Sequence, residues 1–382
     1  MYPSRLHSPS SAGRLSGIDM ADTYTIYGSV VRDGCVIADG AVCVEKNKIV
    51  YSGPRAQAPV VNGVTEVSGG YILPGFIDIH CHAGGAVWSH EDPVRFAAHH
   101  LAHGTTGVCC TLYRDLGIDG MLQGIEAIKA AMPEAPSILG VHLEGPYLNP
   151  KYGAATVDGE IHADPAEYLP LLDTGIVRHS TFAPEVAGTD RYLADLRERG
   201  IVGSIGHSAA SPEEVEKAVR NGARCVTHLF DATGASISPA RWDGTIEVDF
   251  NAAALLCDEL YYEIICDSKG VHVRPQMLQL VKKLAGVSRI IGVTDACTGS
   301  PDDGTDLNFE NGELMGSKLT MDQVARNFHA AGFSLPEIAE VTSGNAARLL
   351  GLYHKIGSLH PGKQADIVVL REDFTVAQVY KA

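Results

Sequence analysis

Eight times between residues 76 and 294 the sequence passes through a short apolar run bounded by turn residues: 76–80, 106–112, 137–143, 177–183, 201–206, 224–228, 261–266 and 289–294. Most intervals carry a helical period, as in DPVRFAAHHLAHG, DRYLADLRERG and SPEEVEKAVRNG. The last has Ser211 and Glu214 spaced as a capping box and Asn221-Gly222 as a stop. Strands alternating with helices build a parallel sheet. A doubly wound open sheet alternates in the same way, but the count of eight and the placement of the polar residues favour a (β/α)8 TIM-type barrel. The two ends of the chain read differently. TYTIYGSVV and CVIADGAVCVEKNKIVYSG near the start, and QADIVVLREDFTVAQVYKA at the end, are Val/Ile-rich strands broken by polar turns. The expected organisation is an α/β barrel over 75–354 and a small β-sandwich assembled from both termini, 21–74 plus 355–382. Residues 1–20, rich in Ser and Arg and closed by a second Met at Met20, read as a leader or an early start and are set aside.

Five of the apolar runs end in groups that bind metals. FIDIH leads into His80-Cys81-His82, SILGVHLEG reaches Glu144, IVGSIGH ends at His207, RCVTH at His228 and RIIGVTD at Asp295. In a barrel the C-terminal strand ends converge on one face, where catalytic groups gather. A lone strand-end histidine is ordinarily a hydrogen-bonded core residue, and His90, His99, His100, His103, His142, His162, His179, His329, His354 and His360 are given no functional reading. His-x-His on a strand is a stronger signal, because alternation turns both rings to one face and Cys81 to the other. The joint occurrence of all five points to a divalent metal centre. Its mixed nitrogen and carboxylate donors suit Zn or Fe(II) better than Mg or Ca.

Composition narrows the partners. Thirty Lys+Arg against 46 Asp+Glu give a net charge of −16, a field that repels phosphate backbones and argues against nucleic acid. No apolar run approaches the roughly 18 residues of a membrane span. The nine Cys are scattered without a CxxC pair, which fits reduced thiols in a cytoplasmic protein. A small-molecule substrate is the expected partner.

Taken in order, ILPGFIDIHCH, GVHLEGPYLNP, GSIGHS, THLFDATG, GVTDA and GSLHPGKQADIVVL resemble the amidohydrolase superfamily, and within it the N-acetylglucosamine-6-phosphate deacetylases. The resemblance runs from about Asp22 to the C-terminus, with HLEGP its most specific piece. It implies a metal-bearing barrel with a β-sandwich from both termini, one or two divalent ions, an N-acetylated sugar phosphate as substrate, and a homodimer. It further implies that Glu144, His207 and His228 hold the main ion, and that His80 and His82, sharing Glu144 or Asp295, hold a second. Asp295 would be the general acid/base, and His272, in DSKGVHV, would contact the sugar phosphate. Asp231 and Ala232 would lie beside the same substrate.

The sequence departs from that family on the substrate side. Ala155 stands where a polar residue is expected after HLEGP, Asp231 replaces an Asn, and Arg241 lies a couple of residues beyond the usual position of a phosphate-binding Arg. Arg241 is, with His272, the candidate cation for a substrate phosphate, a surface pairing with Asp243 or Glu247 being the alternative. An Asp beside an anion is unfavourable unless it is paired. The metal chemistry is therefore read more firmly than the leaving group. Another amidohydrolase activity, on N-acyl amino acids or cyclic amides, is the alternative. A non-catalytic barrel that uses metal for assembly is a third reading.

Overall fold

All eight apolar runs form strands: Phe76–Cys81, Thr105–Tyr113, Ile138–Glu144, Val177–Phe182, Val202–Ile205, Ala223–Val226, Tyr261–Ile265 and Ile290–Val293. The structure, a computed structural model, describes residues 23–60, 64–153, 161–299, 304–310 and 312–382; the leader reading for 1–20 and the Ala155 substitution lie outside the described residues. The eight strands pair in sequence order and in parallel. The last strand returns to the first, where Asp295 donates its N–H to the His80 carbonyl at 2.9 Å and His82 donates to the Ala296 carbonyl at 3.0 Å. Buried Asp78 stitches this seam by accepting from the Thr294 hydroxyl at 2.6 Å, and burial pushes its carboxyl up to about 6. The result is the expected (β/α)8 TIM-type barrel.

Local chemistry explains the elements. Every residue of FIDIHC is buried, as expected of a strand covered on both faces, which is why these runs read as continuous rather than alternating. Helix Pro212–Asn221 has its capping box, with Ser211 and Glu214 bonding reciprocally at 3.3 and 2.8 Å, and it stops at Gly222 in the left-handed region. The termini build a separate six-stranded sheet. Thr23–Arg32, Cys35–Glu45 and Lys48–Pro54 form the meander, while Val64–Pro74, Ile367–Leu370 and Val376–Tyr380 extend its other side. Tyr24 and Tyr380 stack at 5.1 Å although two strands separate theirs in the sheet. The sheet therefore curls over its own apolar core of Ile26, Val42, Ile49, Ile72, Ile367 and Val369, which makes it a small sandwich. Among the described residues no helix is long and apolar enough to cross a membrane.

Candidate metal centre

The six residues expected to bind metal meet at the C-terminal mouth of the barrel. Glu144 is the hub. Its Oε1 lies 2.9 Å from His207 Nε2, 3.1 Å from His228 Nε2 and 3.4 Å from His80 Nε2, while its Oε2 lies 3.1 Å from His82 Nε2. Asp295 Oδ1 closes the other side, 3.3 Å from His80 Nε2 and 3.2 Å from His82 Nε2. Two three-residue sets of ligand atoms result, Glu144–His207–His228 and His80–His82–Glu144. Cys81 turns away as alternation requires, its sulfur 3.1 Å from His100.

The hydrogen positions implied by the neighbours of His207 and His80 suit a cation site. His207 Nδ1 sits 3.0 Å from the Tyr152 carbonyl, which can only accept, so this nitrogen carries the hydrogen. In the neutral ring the Nε2 lone pair then points at Glu144 and at His228 Nε2, 3.0 Å away. His80 Nδ1 is likewise 3.0 Å from a Glu263 carboxylate oxygen, and its buried Nε2 has no hydrogen-bond partner. The Nε2 atoms of His207 and His80 thus meet the Glu144 and Asp295 oxygens in one small volume. Divalent ions satisfy such a set, and the nitrogen and oxygen donors fit one or two of them.

The backbone is bent to bring these groups in. His207, His228 and Asp295 all have positive φ, at 46°, 28° and 46°. His and Asp tolerate the left-handed region better than most residues, yet it remains strained, and such strain clusters at functional sites. Two glycines make room. A Cβ on Gly153 would come within 2.5 Å of His207 Nδ1, and one on Gly316 within 2.4 Å of the Asp295 carbonyl oxygen.

The residues expected at the substrate do not all gather. His272 is buried near the mouth, with Nδ1 3.1 Å from Asp267 and Nε2 3.1 Å from the Gly316 carbonyl. Both partners are acceptors, an arrangement that suits a charged ring. Burial opposes that charge, but Asp267 outweighs burial and raises the ring above its ordinary value. Asp231 lies 4.0 Å from His272 Nε2 and is thus paired, and its own Oδ1 accepts from the Ala232 N–H at 3.0 Å. Arg241 sits on an exposed stretch facing Glu247 at 3.7 Å, the surface pairing rather than a contact with the centre.

Comparison with known proteins agrees with this geometry. The amidohydrolase family profile matches residues 71–382. The chain belongs to the amidohydrolase family. An N-acetylglucosamine-6-phosphate deacetylase of Bacillus subtilis (strain 168) is 30% identical over 380 residues, covering 91% of this chain and 93% of that one. An N-acetylgalactosamine-6-phosphate deacetylase of Shewanella sp. (strain ANA-3) is 29% identical, covering 91% and 89%. The crystal structure of N-acetylglucosamine-6-phosphate deacetylase from Pasteurella multocida superposes with a TM-score of 0.83 at 26% identity, covering 94% and 98%.

In this amidohydrolase a buried layer beneath the mouth supports the groups that meet there, and most of it escapes sequence reading. Glu263, the lone charge in YYEII, is fully buried between His80 and His179. Burial alone would raise its carboxyl, but the two rings hold it down at about 2. His142 stacks on His179 at 3.8 Å and lies between the hydroxyls of Thr111 and Thr181. An acid inside an apolar strand was the available signal for Glu263. The His142–His179 pairing becomes visible only once strand register places them side by side.

Electrostatics at the mouth give a testable pH dependence. Burial disfavours charge on His228, but Glu144 overrides it and raises the ring to about 9 from 6.5. The pair therefore stabilises chelator-treated amidohydrolase fully below pH 6.5, and this contribution disappears as pH rises through about 9. Urea midpoints of the metal-free protein at the two ends of this window should fall with pH. The His228→Asn variant should lack that part of the slope, and equal slopes would remove the pair as its source.

Proposed function

We propose that the chain removes the acetyl group from N-acetylglucosamine-6-phosphate or a closely related N-acetylhexosamine phosphate, releasing acetate and the amino sugar phosphate. The observation that carries this reading is the convergence of His80, His82, Glu144, His207, His228 and Asp295 on one mouth, in a chain that follows the Bacillus subtilis deacetylase over 91% of its length. In this reading Glu144, His207 and His228 hold one divalent ion, and His80 and His82, sharing Glu144 or Asp295, hold another, Zn or Fe(II) in each case. When bound, such an ion supplies Lewis acidity that acidifies water and stabilises negative charge on the carbonyl oxygen.

Asp295 is the general acid/base. Despite burial its carboxyl is held below the usual range, chiefly by His80, so it starts ionised as a base must. Its free oxygen takes a proton from the attacking water and passes it to the amide nitrogen, which cannot depart as an anion. No serine or cysteine nucleophile is needed. On the leaving-group side, His272 is the cation available to a phosphate, with Asp231 and Ala232 beside it. The nine free thiols, eight of them buried, suit a reducing compartment, and we read the protein as a cytoplasmic homodimer.

Three observations favour a second reading. Both His272 nitrogens already have acceptors, Asp231 adds a negative charge, and Arg241 faces Glu247. These features suit an unphosphorylated N-acyl leaving group. Acetate release from N-acetylglucosamine-6-phosphate, N-acetylgalactosamine-6-phosphate, their unphosphorylated forms and N-acetyl amino acids separates the readings. We expect kcat/KM to be highest on a phosphorylated N-acetylhexosamine. A higher value on an unphosphorylated compound would overturn the proposal.

A further inference from the structure

Glu263 is a buried acid that the proposed proton transfers do not use. It is fully inaccessible to solvent, and its side-chain oxygens meet two imidazoles, a backbone N–H and a thiol. Oε2 lies 3.0 Å from His80 Nδ1 and 3.4 Å from the His228 amide nitrogen, while Oε1 lies 3.4 Å from His179 Nε2 and 3.9 Å from Cys225 Sγ. Burying a carboxylate is costly unless its partners compensate, and here two of the partners belong to the centre itself.

The geometry has a definite effect on His80. Glu263 Oε2 already accepts the His228 N–H, so it meets His80 Nδ1 as an acceptor and the ring hydrogen lies on Nδ1. When the ring is neutral, as a ligating imidazole must be, its lone pair is on Nε2, which faces Glu144 Oε1 at 3.4 Å and Asp295 Oδ1 at 3.3 Å. Glu263 also fixes the neighbouring ligand through the backbone. It receives the His228 N–H on its side chain, and its own carbonyl accepts the Leu229 N–H at 2.9 Å.

We propose that Glu263 is the positioning residue for the His80–His82 half of the centre, fixing the His80 ring and its Nδ1–H tautomer so that this half can hold its own ion. The inference rests on the reading of the mouth as a two-ion site and not on the identity of the substrate. A carboxylate that orients a ligating imidazole typically contributes 10- to 100-fold in metal affinity. Gln at this position keeps the size but can turn its NH2 group toward Nδ1, which allows the hydrogen to move to Nε2.

The test titrates metal-free full-length protein and E263Q with Co(II), following the visible spectrum and calorimetric stoichiometry. Wild type should take two ions. E263Q should bind one with unchanged affinity and the other about 10- to 100-fold more weakly. Equal affinities in both proteins would overturn the proposal, as would a single ion in wild type. A second measurement needs no variant: in Zn-loaded wild type, long-range ¹H–¹⁵N correlations should place the His80 hydrogen on Nδ1, and a hydrogen on Nε2 would overturn it. None of these readouts involves turnover. Failure of the deacetylase reading in the acetate assay would leave them standing, and unperturbed metal binding in E263Q would remove the positioning role while leaving the activity assigned.

Discussion

His228→Asn is expected to lose the ion of the Glu144–His207–His228 set and to reduce hydrolysis to background. The substitution is chosen for its backbone. His228 has φ of 28°, and Asn is among the few residues that accept the left-handed region, so the chain should keep its path. What disappears is the Nε2 atom, which lies 3.1 Å from Glu144 and 3.0 Å from His207 Nε2. Disturbing a residue that merely orients a ligand weakens metal binding about 10- to 100-fold, so removing one of three ligands should exceed that range. His207→Asn should behave alike, because its φ is 46° and its Nε2 lies 2.9 Å from Glu144. Metal analysis after gel filtration reads the result directly. A full complement of metal in both variants would sink the ligand assignment.

Asp295→Asn is expected to do something different: metal stays while turnover falls. Asp295 is outside the Glu144–His207–His228 set, so at least that ion should remain bound. Asn preserves the shape, suits the φ of 46°, and offers an amide oxygen where His80 and His82 meet the carboxylate at 3.3 and 3.2 Å. It cannot take up and return a proton. The usual scale for losing a general acid/base is 10² or more in kcat, with a smaller change in KM because the group acts on the transferring proton and not on the resting substrate. Steady-state kinetics on the preferred substrate from the acetate screen supply the measurement. A near-normal kcat would transfer the proton work to another group.

The barrel and the meeting of six candidate ligands at its mouth were legible because two periodicities coincide. Apolar runs marked the strands, and each polar residue placed just past a run had to lie on the same rim. His80 and His82 could be separated from Cys81 by alternation alone, and the structure places Cys81 against His100 as that rule requires. What stayed hidden depends on register and on backbone sign. Glu263 lies within a strand rather than at its end, so nothing local reveals that it meets His80, 183 positions away. The left-handed turns at His207, His228 and Asp295 leave no trace in residue type, since none is a glycine. Asp231 read as a misplaced negative charge in the sequence. In the fold it has His272 as a partner at 4.0 Å, whose ring is pushed toward the charged form by Asp267, a residue that sequence reading passed over.

Those three bent strand ends also bear on how such a protein ages in evolution. Left-handed backbone at a residue with a side chain costs on the order of 1 to 3 kcal/mol, and His207, His228 and Asp295 each carry it in the same small region. The barrel would be easier to fold if it did nothing. A copy released from selection for hydrolysis should therefore not decay evenly. Its first tolerated changes should be Gly or Asn at these three positions, where relaxing the chain and forfeiting the chemistry are the same event, while the apolar strands beneath would persist long after the reaction had gone.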